Sequence, residues 1–238
     1  MTLINELNKK SAGKSPEEII KLAYEKFGSK LCFSSSMGVE DQVITHVICS
    51  VNPKIKIFTL DTGRLFPEAY DLIDRTSVKY KITIDIAFPS SKEVEKMVHE
   101  KGINLFYDSV ENRKECCEIR KVKSLTKKLK NFDAWISGIR KEQSDYRSKI
   151  NVFEWDEKNG LVKVNPLIDW TEQQVYTYVE KNNIPVNPLH FKGYKSIGCQ
   201  PCTRAIEKDE DFRAGRWWWE SGHKECGLHI MENIKLKK

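Results

Sequence analysis

Short apolar runs alternate with amphipathic stretches along most of the chain. The apolar runs predict buried strands over residues 30–34, 55–60, 82–87 and 134–137. Between them, apolar residues at helical spacing predict helices over residues 39–51, 67–80, 91–101 and 112–130. Strands that alternate with helices indicate an α/β fold, with a mostly parallel sheet flanked by helices and joined by right-handed crossovers.

The two ends of the chain depart from this alternation. Ser15, Pro16 and Glu18 are typical of a helix start, with a serine cap and a capping box. Residues 152–155 and 161–164 predict a hairpin, and Thr171 caps a helix that reaches residue 181. Beyond Asn187 the pattern stops and glycines recur. We therefore expect a nucleotide-binding α/β domain over residues 1–190 and an irregular C-terminal segment over residues 191–238.

Composition narrows the choice of partner only slightly. The chain has 238 residues, 31% of them charged, and a net charge of +6. This surplus favours an anionic ligand, but much of it lies on helix faces and in the tail, so it does not indicate nucleic-acid binding. No apolar stretch reaches 18 residues, no signal-peptide pattern is present, and the seven cysteines are an odd number. We expect a cytoplasmic protein with no membrane or nucleic-acid partner; a homo-oligomer is compatible with the sequence.

Two cysteine pairs are the most specific chemical feature. Cys116 and Cys117 are adjacent, and Cys199 and Cys202 have the CxxC spacing of a metal-thiolate turn. Neighbouring side chains on a helix diverge by about 100°, whereas zinc, with bonds of about 2.3 Å, needs its sulfurs roughly 3.8 Å apart. The iron corners of a cubane lie further apart. The pattern therefore favours a Cys₄ [4Fe–4S] site over zinc.

Other interpretations of these cysteines stay open at this point. The four thiols could be buried small hydrophobic residues, or they could form two disulfides. Cys32 and Cys49 lie inside apolar runs, and we expect them to pack in the core.

Polar loops follow three of the predicted strands. Residues 34–38 (SSSMG) join a strand to a helix and offer hydroxyls and backbone N–H groups to a phosphate at a positive helix terminus. A plain polar turn is the alternative, since neither a Walker A loop nor GxGxxG is present. Residues 61–64 and 138–140 end two further strands, and ligands of parallel sheets bind at that edge.

The C-terminal segment holds a seventh cysteine in cationic surroundings. Cys226 stands between His223 and His229, with Lys224, Arg213 and Arg216 nearby in sequence. Such surroundings lower a thiol pKa, so Cys226 is a candidate nucleophile. A histidine–cysteine zinc site and a buried inert thiol are the alternatives. We expect the tryptophans at 217–219 to pack the tail against the body.

Taken together, these motifs resemble the phosphoadenylyl-sulfate/adenylyl-sulfate reductase family. The resemblance covers nearly the whole chain, and it is carried by SSSMGVED at 34–41, LDTG at 60–63, CC…RKV at 116–122, SGIR at 137–140, NPL at 165–167 and ECGLH at 225–229. It implies an adenine-nucleotide α-hydrolase-like fold and reduction of an activated sulfate to sulfite. The four paired cysteines place the chain nearest the iron–sulfur branch, the assimilatory adenylyl-sulfate (APS) reductases.

The resemblance also implies a role for each matching position. Cys116, Cys117, Cys199 and Cys202 would hold one [4Fe–4S] cluster. Cys226 would attack the sulfate, leaving AMP and an S-sulfocysteine, and reduced thioredoxin or a similar dithiol would release sulfite. Lys121, Arg213, Arg216 and His229 would surround the sulfate and phosphate. Ser34, Ser36, Gly63 and Arg140 would hold the nucleotide.

Competing functions remain to be tested. The substrate could be the 3′-phosphorylated nucleotide PAPS, or both nucleotides. A PP-loop nucleotidyl- or sulfur-transferase would use ATP and magnesium, but the loop at 34–38 lacks the lysine of the related SGGKDS pattern. A metal-containing regulator would bind nucleic acid in a salt-dependent way and turn over no substrate.

Overall fold

The computed structural model describes residues 2–221. Its strands are β1 (Leu31–Ser35), β2 (Lys56–Leu60), β3 (Asp85–Ala87), β4 (Ala134–Ile136), β5 (Phe153–Asp156) and β6 (Leu161–Val164). Its helices are α1 (Leu3–Ser11), α2 (Pro16–Phe27), α3 (Val39–Val51), α4 (Pro67–Tyr80), α5 (Ser91–Lys101), α6 (Val110–Cys117), α7 (Lys123–Leu129) and α8 (Glu172–Lys181). Short 3₁₀ turns connect several of them.

The six strands form one mostly parallel sheet in the order β3-β2-β1-β4-β6-β5. Only β5 runs antiparallel, where it pairs with β6 as the predicted hairpin. The predicted fold class is thus confirmed, and the predicted bounds of α3, α4 and α5 agree with the structure. Because β1 lies between β2 and β4, the loops that end these three strands meet at one edge.

Two predicted elements differ in detail. The strand predicted to start at residue 82 starts at Asp85, because the Ile82 N–H donates to the Ser77 carbonyl and so completes the end of α4. The helix predicted over 112–130 is interrupted by a π-helical turn, Glu118–Val122, directly after the cysteine pair. Helix α1 was not predicted; it packs against β5, and its Asn8 bonds the backbone of Phe153.

The main core lies between the sheet and helices α2, α3, α4 and α8. Buried aliphatic side chains from β1, β4 and β6 meet those of α3, among them Val43, Ile44, Val47 and Ile48. Cys32 is fully buried, as predicted, while Cys49 is half-buried. A search of residues 2–221 finds no helix with both the length and the apolar character needed to cross a membrane.

Candidate active site

A cavity of about 180 Å³ opens at the carboxyl ends of β1, β2 and β4. The loop at 34–38 forms one wall and residues 137–139 form another. Residues 195–198 and 212–216 of the irregular segment close the far side. The predicted edge of the sheet therefore carries the cavity, and both predicted parts of the chain contribute to it.

An internal carboxylate organises the loop at 34–38. The Ser36 hydroxyl donates to Asp41 Oδ2 over 2.7 Å, and the Ser36 backbone N–H donates to the same oxygen. Burial raises the pKa of Asp41 to about 6, although the two bonds from Ser36 act to lower it. Two donors of the predicted phosphate cradle are thus already bound to the protein.

Gly138 allows Asp41 to occupy this position. A Cβ atom at residue 138 would lie 2.0 Å from Asp41 Oδ1 and 3.2 Å from Glu40 Cβ. Those separations are far below van der Waals contact, so any side chain here would displace the carboxylate. The glycine of the SGIR motif is therefore a packing requirement of the cavity wall.

Arg140 lies behind this wall and does not line the cavity. Its side chain is 2% exposed, and its Nε donates to Glu40 Oε1 over 2.9 Å. Gln143, which does line the cavity, donates to the same oxygen over 2.9 Å. The structure thus places Arg140 where it orients Glu40 and Gln143, rather than where it was expected to contact a nucleotide.

Basic side chains from several parts of the chain line the cavity. Lys121, Arg213 and Arg216, all predicted, line it together. Arg147, which is buried and donates to Gln143, and Lys195 line it as well. They were not predicted, because nothing in their local sequence distinguishes them from other arginines and lysines. The arrangement suits a ligand with several negative charges.

Two buried polar atoms in this cavity were also not foreseen. His190 Nδ1 lies 2.9 Å from the Tyr194 carbonyl, which can only accept, so Nδ1 carries the proton and Nε2 is an acceptor. Burial also lowers the pKa of His190. Neither His190 Nε2 nor Asn187 Nδ2 finds a hydrogen-bond partner among residues 2–221. The site thus offers one acceptor and one donor to a polar ligand.

The absence of a side chain at Gly198 leaves space for the Arg216 guanidinium. A Cβ atom at residue 198 would lie 2.2 Å from Arg216 Nη2, so the guanidinium packs directly on the glycine backbone. Arg216 is 5% exposed, and its Nε donates to the Cys202 carbonyl over 3.4 Å. Arg216 therefore connects the first cavity to the CxxC turn.

All four paired cysteines line a second, smaller cavity next to the first. Cys116 and Cys117 end α6, and Cys199 and Cys202 flank the 3₁₀ turn Gln200–Cys202. No disulfide joins these four residues. The π-helical turn that follows Cys117 adds a residue to the helical repeat, a feature common at functional sites.

The thiols of this second cavity differ in their acidity. Burial raises the pKa of Cys202 to about 12 and also raises that of Cys116. Burial acts in the same direction on Cys199, but Lys121 and the Thr62 hydroxyl, 3.2 Å from Cys199 Sγ, outweigh it and lower the pKa of that thiol. A lowered thiol pKa at Cys199 suits a metal-binding role.

The lining of this cavity is compatible with an iron–sulfur cluster. Within residues 2–221, no three His, Cys, Asp or Glu side chains are placed to hold one metal ion. The four sulfurs nevertheless surround one space, and Arg120, which also lines it, has a buried Nε with no hydrogen-bond partner in the described part of the chain. A sulfide-containing group would accept from that N–H.

Lys121 lines both cavities. It follows Arg120 in the π-helical turn, and the turn carries its ammonium group between the strand-end cavity and Cys199. The two predicted sites therefore share a side chain.

Gly63 was also predicted to hold the nucleotide. Gly63, with φ at +69°, turns the chain after β2 and donates its N–H to Asp61 over 2.7 Å; it lines neither cavity. Its neighbour Thr62 instead bonds Arg120 and approaches Cys199. Cys226 and His229 lie outside the described residues.

The amino-acid sequence matches a known protein family over most of its length. The sequence profile of the phosphoadenosine phosphosulfate reductase domain matches residues 30–205, most of the chain. The chain belongs to the phosphoadenosine phosphosulfate reductase family. The resemblance noted in the sequence is thereby confirmed.

Similar sequences and a similar solved structure support the assignment to this family. Adenosine 5′-phosphosulfate reductase of Burkholderia cepacia is 51% identical over 202 residues, covering 84% of this chain and 81% of that protein. The enzyme of the same name from Allochromatium vinosum is 46% identical over 203 residues, covering 85% and 79%. The phosphoadenylyl-sulfate reductase structure from Candida auris superposes with a TM-score of 0.73 at 29% identity, covering 87% of this chain and 98% of that one.

A more distant structure shows the fold alone. FMN adenylyltransferase of Candida glabrata has a TM-score of 0.57 at 15% identity, covering 94% of this chain and 75% of that one. The predicted α/β architecture, with a mostly parallel sheet flanked by helices, is confirmed by this likeness.

Proposed function

We propose that this protein reduces adenylyl sulfate to sulfite and AMP, as its closely similar relatives are named for doing. The observation that carries the proposal is the position of Lys121, which lines both the strand-end cavity and the four-cysteine cavity. A nucleotide bound at the strand ends would thus reach toward the cysteines with its anionic end. The cations on that side are the complement of a phosphosulfate.

The nucleotide is proposed to lie against the loop at 34–38. Ser34 and Ser36 line this wall, and Asn187 and His190 offer the buried donor and acceptor. Arg140 contributes by holding Glu40 and Gln143, and Gly63 by turning Thr62 toward Cys199. These two predicted residues would then act through their neighbours.

The first half-reaction is a displacement at sulfur. The Cys226 thiolate attacks the sulfate sulfur, the bond from that sulfur to the phosphate oxygen breaks, and AMP departs with the electron pair. The product on the protein is an S-sulfocysteine. Lys121, Arg213, Arg216 and His229 are proposed to offset the charge on the sulfonate and on the departing phosphate.

The second half-reaction needs a dithiol, such as reduced thioredoxin. One thiolate attacks Cys226 Sγ, sulfite leaves with the electron pair of the sulfur–sulfur bond, and a mixed disulfide forms. The second thiol then displaces the Cys226 thiolate. The dithiol supplies both electrons and ends as a disulfide, so the reaction balances without another reductant.

Cys116, Cys117, Cys199 and Cys202 are proposed to hold one [4Fe–4S] cluster. When bound, the cluster would supply a charged, rigid support for Lys121 and for the sulfate beyond it, and no electron transfer is required of it. Thiolate ligands of this kind persist in a reducing compartment, which is why we place the protein in the cytoplasm.

The choice between the two nucleotides is a separate part of the proposal. We expect kcat/KM for APS to exceed that for PAPS by about tenfold or more, equivalent to about 1.4 kcal/mol. The relatives named for the APS reaction support this expectation. Equal efficiencies would indicate a dual-substrate enzyme, and a preference for PAPS would overturn the assignment to the APS branch.

The test is a sulfite-release assay on anaerobically purified protein with reduced thioredoxin. Parallel reactions contain APS, PAPS, ATP with magnesium, or no nucleotide. Sulfite in the APS reaction alone, or well above the PAPS reaction, supports the proposal. Pyrophosphate from ATP without sulfite would instead support a nucleotidyltransferase.

A further inference from the structure

A buried ion pair joins the end of the described chain to the cysteine helix. Arg113 Nε donates to Glu220 Oε1 over 2.9 Å, and Arg113 Nη2 donates to Glu220 Oε2 over 2.6 Å. Both side chains are almost fully buried, at 7% and 10% exposure. A two-bond pair of this kind fixes orientation as well as distance, unlike a single surface contact.

The partner helix is the one that carries half of the cysteine set. Arg113 lies three and four residues before Cys116 and Cys117 on α6, so it occupies the same side of the helix one turn earlier. Glu220 is the second-last described residue of the irregular segment. The pair therefore ties the path of the C-terminal segment to the cysteine cavity.

Neighbouring contacts hold the same stretch of chain. The Trp217 ring is 1% exposed and lies under the Arg113 guanidinium, 4.5 Å from ring centre to Cζ. The backbone N–H of Trp217 donates to the Cys202 carbonyl, and the backbone N–H of Glu220 donates to the Trp217 carbonyl. The Trp219 ring meets that of Tyr107 at 4.5 Å. Trp217 keeps this position with φ at +42°, a conformation that non-glycine residues adopt only where packing imposes it.

We propose that the Arg113–Glu220 pair is the anchor that positions the segment bearing Cys226, and that Arg113 and Glu220 are positioning residues for the attack on sulfate. This inference rests on the proposed function. Cys226 is the sixth residue after Glu220, and a stretch of six residues spans at most about 20 Å. Arg113 lines the four-cysteine cavity together with Lys121, so the anchor lies at the edge of the proposed site.

The length of the tether sets the size of the expected effect. For a flexible tether that is longer than the span it bridges, effective concentration falls roughly as the −3/2 power of tether length. If loss of the pair frees the chain back to Trp217, the tether grows from six to nine residues, and the rate of Cys226 sulfonation falls about twofold. If the release reaches Arg204, where backbone bonding to Gly215 begins, the tether has 22 residues and the fall is about sevenfold.

The test compares Glu220→Ala, Arg113→Met and the double variant with wild type. Glu115→Ala is the matched control, because Glu115 lies on α6 like Arg113 but forms an exposed pair, with Lys101 of α5. Glu220→Asp, which retains the charge, is the conservative variant. Single-turnover mass spectrometry at saturating APS gives the rate of adduct formation on Cys226, while iron content and the Kd for AMP are measured on the same samples.

We expect a two- to sevenfold slower adduct in Glu220→Ala, with iron content and AMP affinity unchanged. Glu220→Asp should recover part of the rate, and the double variant should be no slower than the single one, because the two residues act as a unit. A parallel loss of iron would mean that the pair supports the cysteine helix instead, and would overturn the inference. A rate equal to that of Glu115→Ala would do the same.

A second measurement is independent of sulfate chemistry. Hydrogen–deuterium exchange of the amides at 216–220 should accelerate in Glu220→Ala and stay unchanged in Glu115→Ala. If wild type forms no adduct with APS, the proposed function has failed, and this exchange still decides whether the pair anchors the chain. Equal exchange in the two variants would refute the anchor.

Discussion

Replacing Gly138 with alanine should damage the nucleotide cavity more than its single added methyl group suggests. The new Cβ atom would lie 2.0 Å from Asp41 Oδ1 and 3.1 Å from Asp41 Cγ. Aspartate is too short to swing clear while keeping its two bonds from Ser36. The carboxylate must therefore move, and the loop at 34–38 must move with it.

The expected loss of stability can be bounded. Overpacking a buried site costs about 1–3 kcal/mol, and each lost hydrogen bond to a charged group adds about 1.5–3 kcal/mol. Partial relaxation makes a total of about 2–5 kcal/mol reasonable. For a chain of this size, 1 kcal/mol corresponds to roughly 2–4 °C in Tm, so we expect a fall of about 4–20 °C.

Gly38→Ala provides the matched control. Its Cβ atom would meet Ser36 Oγ at 3.3 Å, and the residue has an ordinary φ of −72°, so we expect a fall in Tm of only a few degrees. Thermal denaturation and AMP titration of both variants check the reasoning. Equal Tm values, or full AMP affinity in Gly138→Ala, would show that Asp41 does not organise the loop.

Three further variants test other parts of the account. Lys121→Ala should lower kcat/KM for APS by about 10²–10³-fold, which is the usual effect of losing one donor to the transition state. The control Lys123→Ala removes an exposed lysine and should leave kcat/KM unchanged. Equal effects of the two substitutions would refute the position of Lys121 between the two cavities. The pKa of Asp41 is about 6 in the folded state against an ordinary 3.8, so Asp41 releases its proton at a higher pH when the protein is folded. The free energy of unfolding of wild type should therefore fall relative to that of Asp41→Asn as pH rises from about 4 to about 6, by up to about 3 kcal/mol. Urea unfolding across that range checks this, and a constant difference would contradict it. Cys202→Ala should lose the expected four irons per chain while Cys49→Ala retains about four; iron retained by both would remove Cys202 from the ligand set.

Much of the fold could be predicted from local pattern. Helices α3, α4 and α5 begin and end where their apolar periodicity does, because each buries its apolar face. Helices α3 and α4 bury it in the main core, and α5 buries Met97 in the cluster that contains Cys116. The π-helical turn after Cys117 had no signal of this kind. This turn accompanies the placement of two adjacent cysteines of α6 in one cavity. That placement depends on tertiary packing and not on the local sequence.

The site residues that belong to short sequence motifs were predicted. Those that come together only in the folded chain, from positions distant in sequence, were missed. Lys121 and the cysteines belong to short motifs, and the structure brings them together. Asn187 and His190 were missed because Asn187 Nδ2 and His190 Nε2 acquire meaning only once burial leaves these two atoms without a hydrogen-bond partner in residues 2–221. Arg140 was expected in the cavity because it follows a strand end, but Glu40, one hundred residues earlier, holds it behind the wall.

The central claim is that Cys226 attacks the sulfur of adenylyl sulfate, and intact-mass analysis tests it most directly. Wild-type protein incubated with APS and no dithiol should gain about 80 Da, mapped to Cys226 by peptide analysis, and reduced thioredoxin should remove the adduct as sulfite. Cys226→Ser should keep its iron and bind AMP, yet gain no mass. An adduct on another cysteine, or sulfite release by Cys226→Ser at the wild-type rate, would contradict the account.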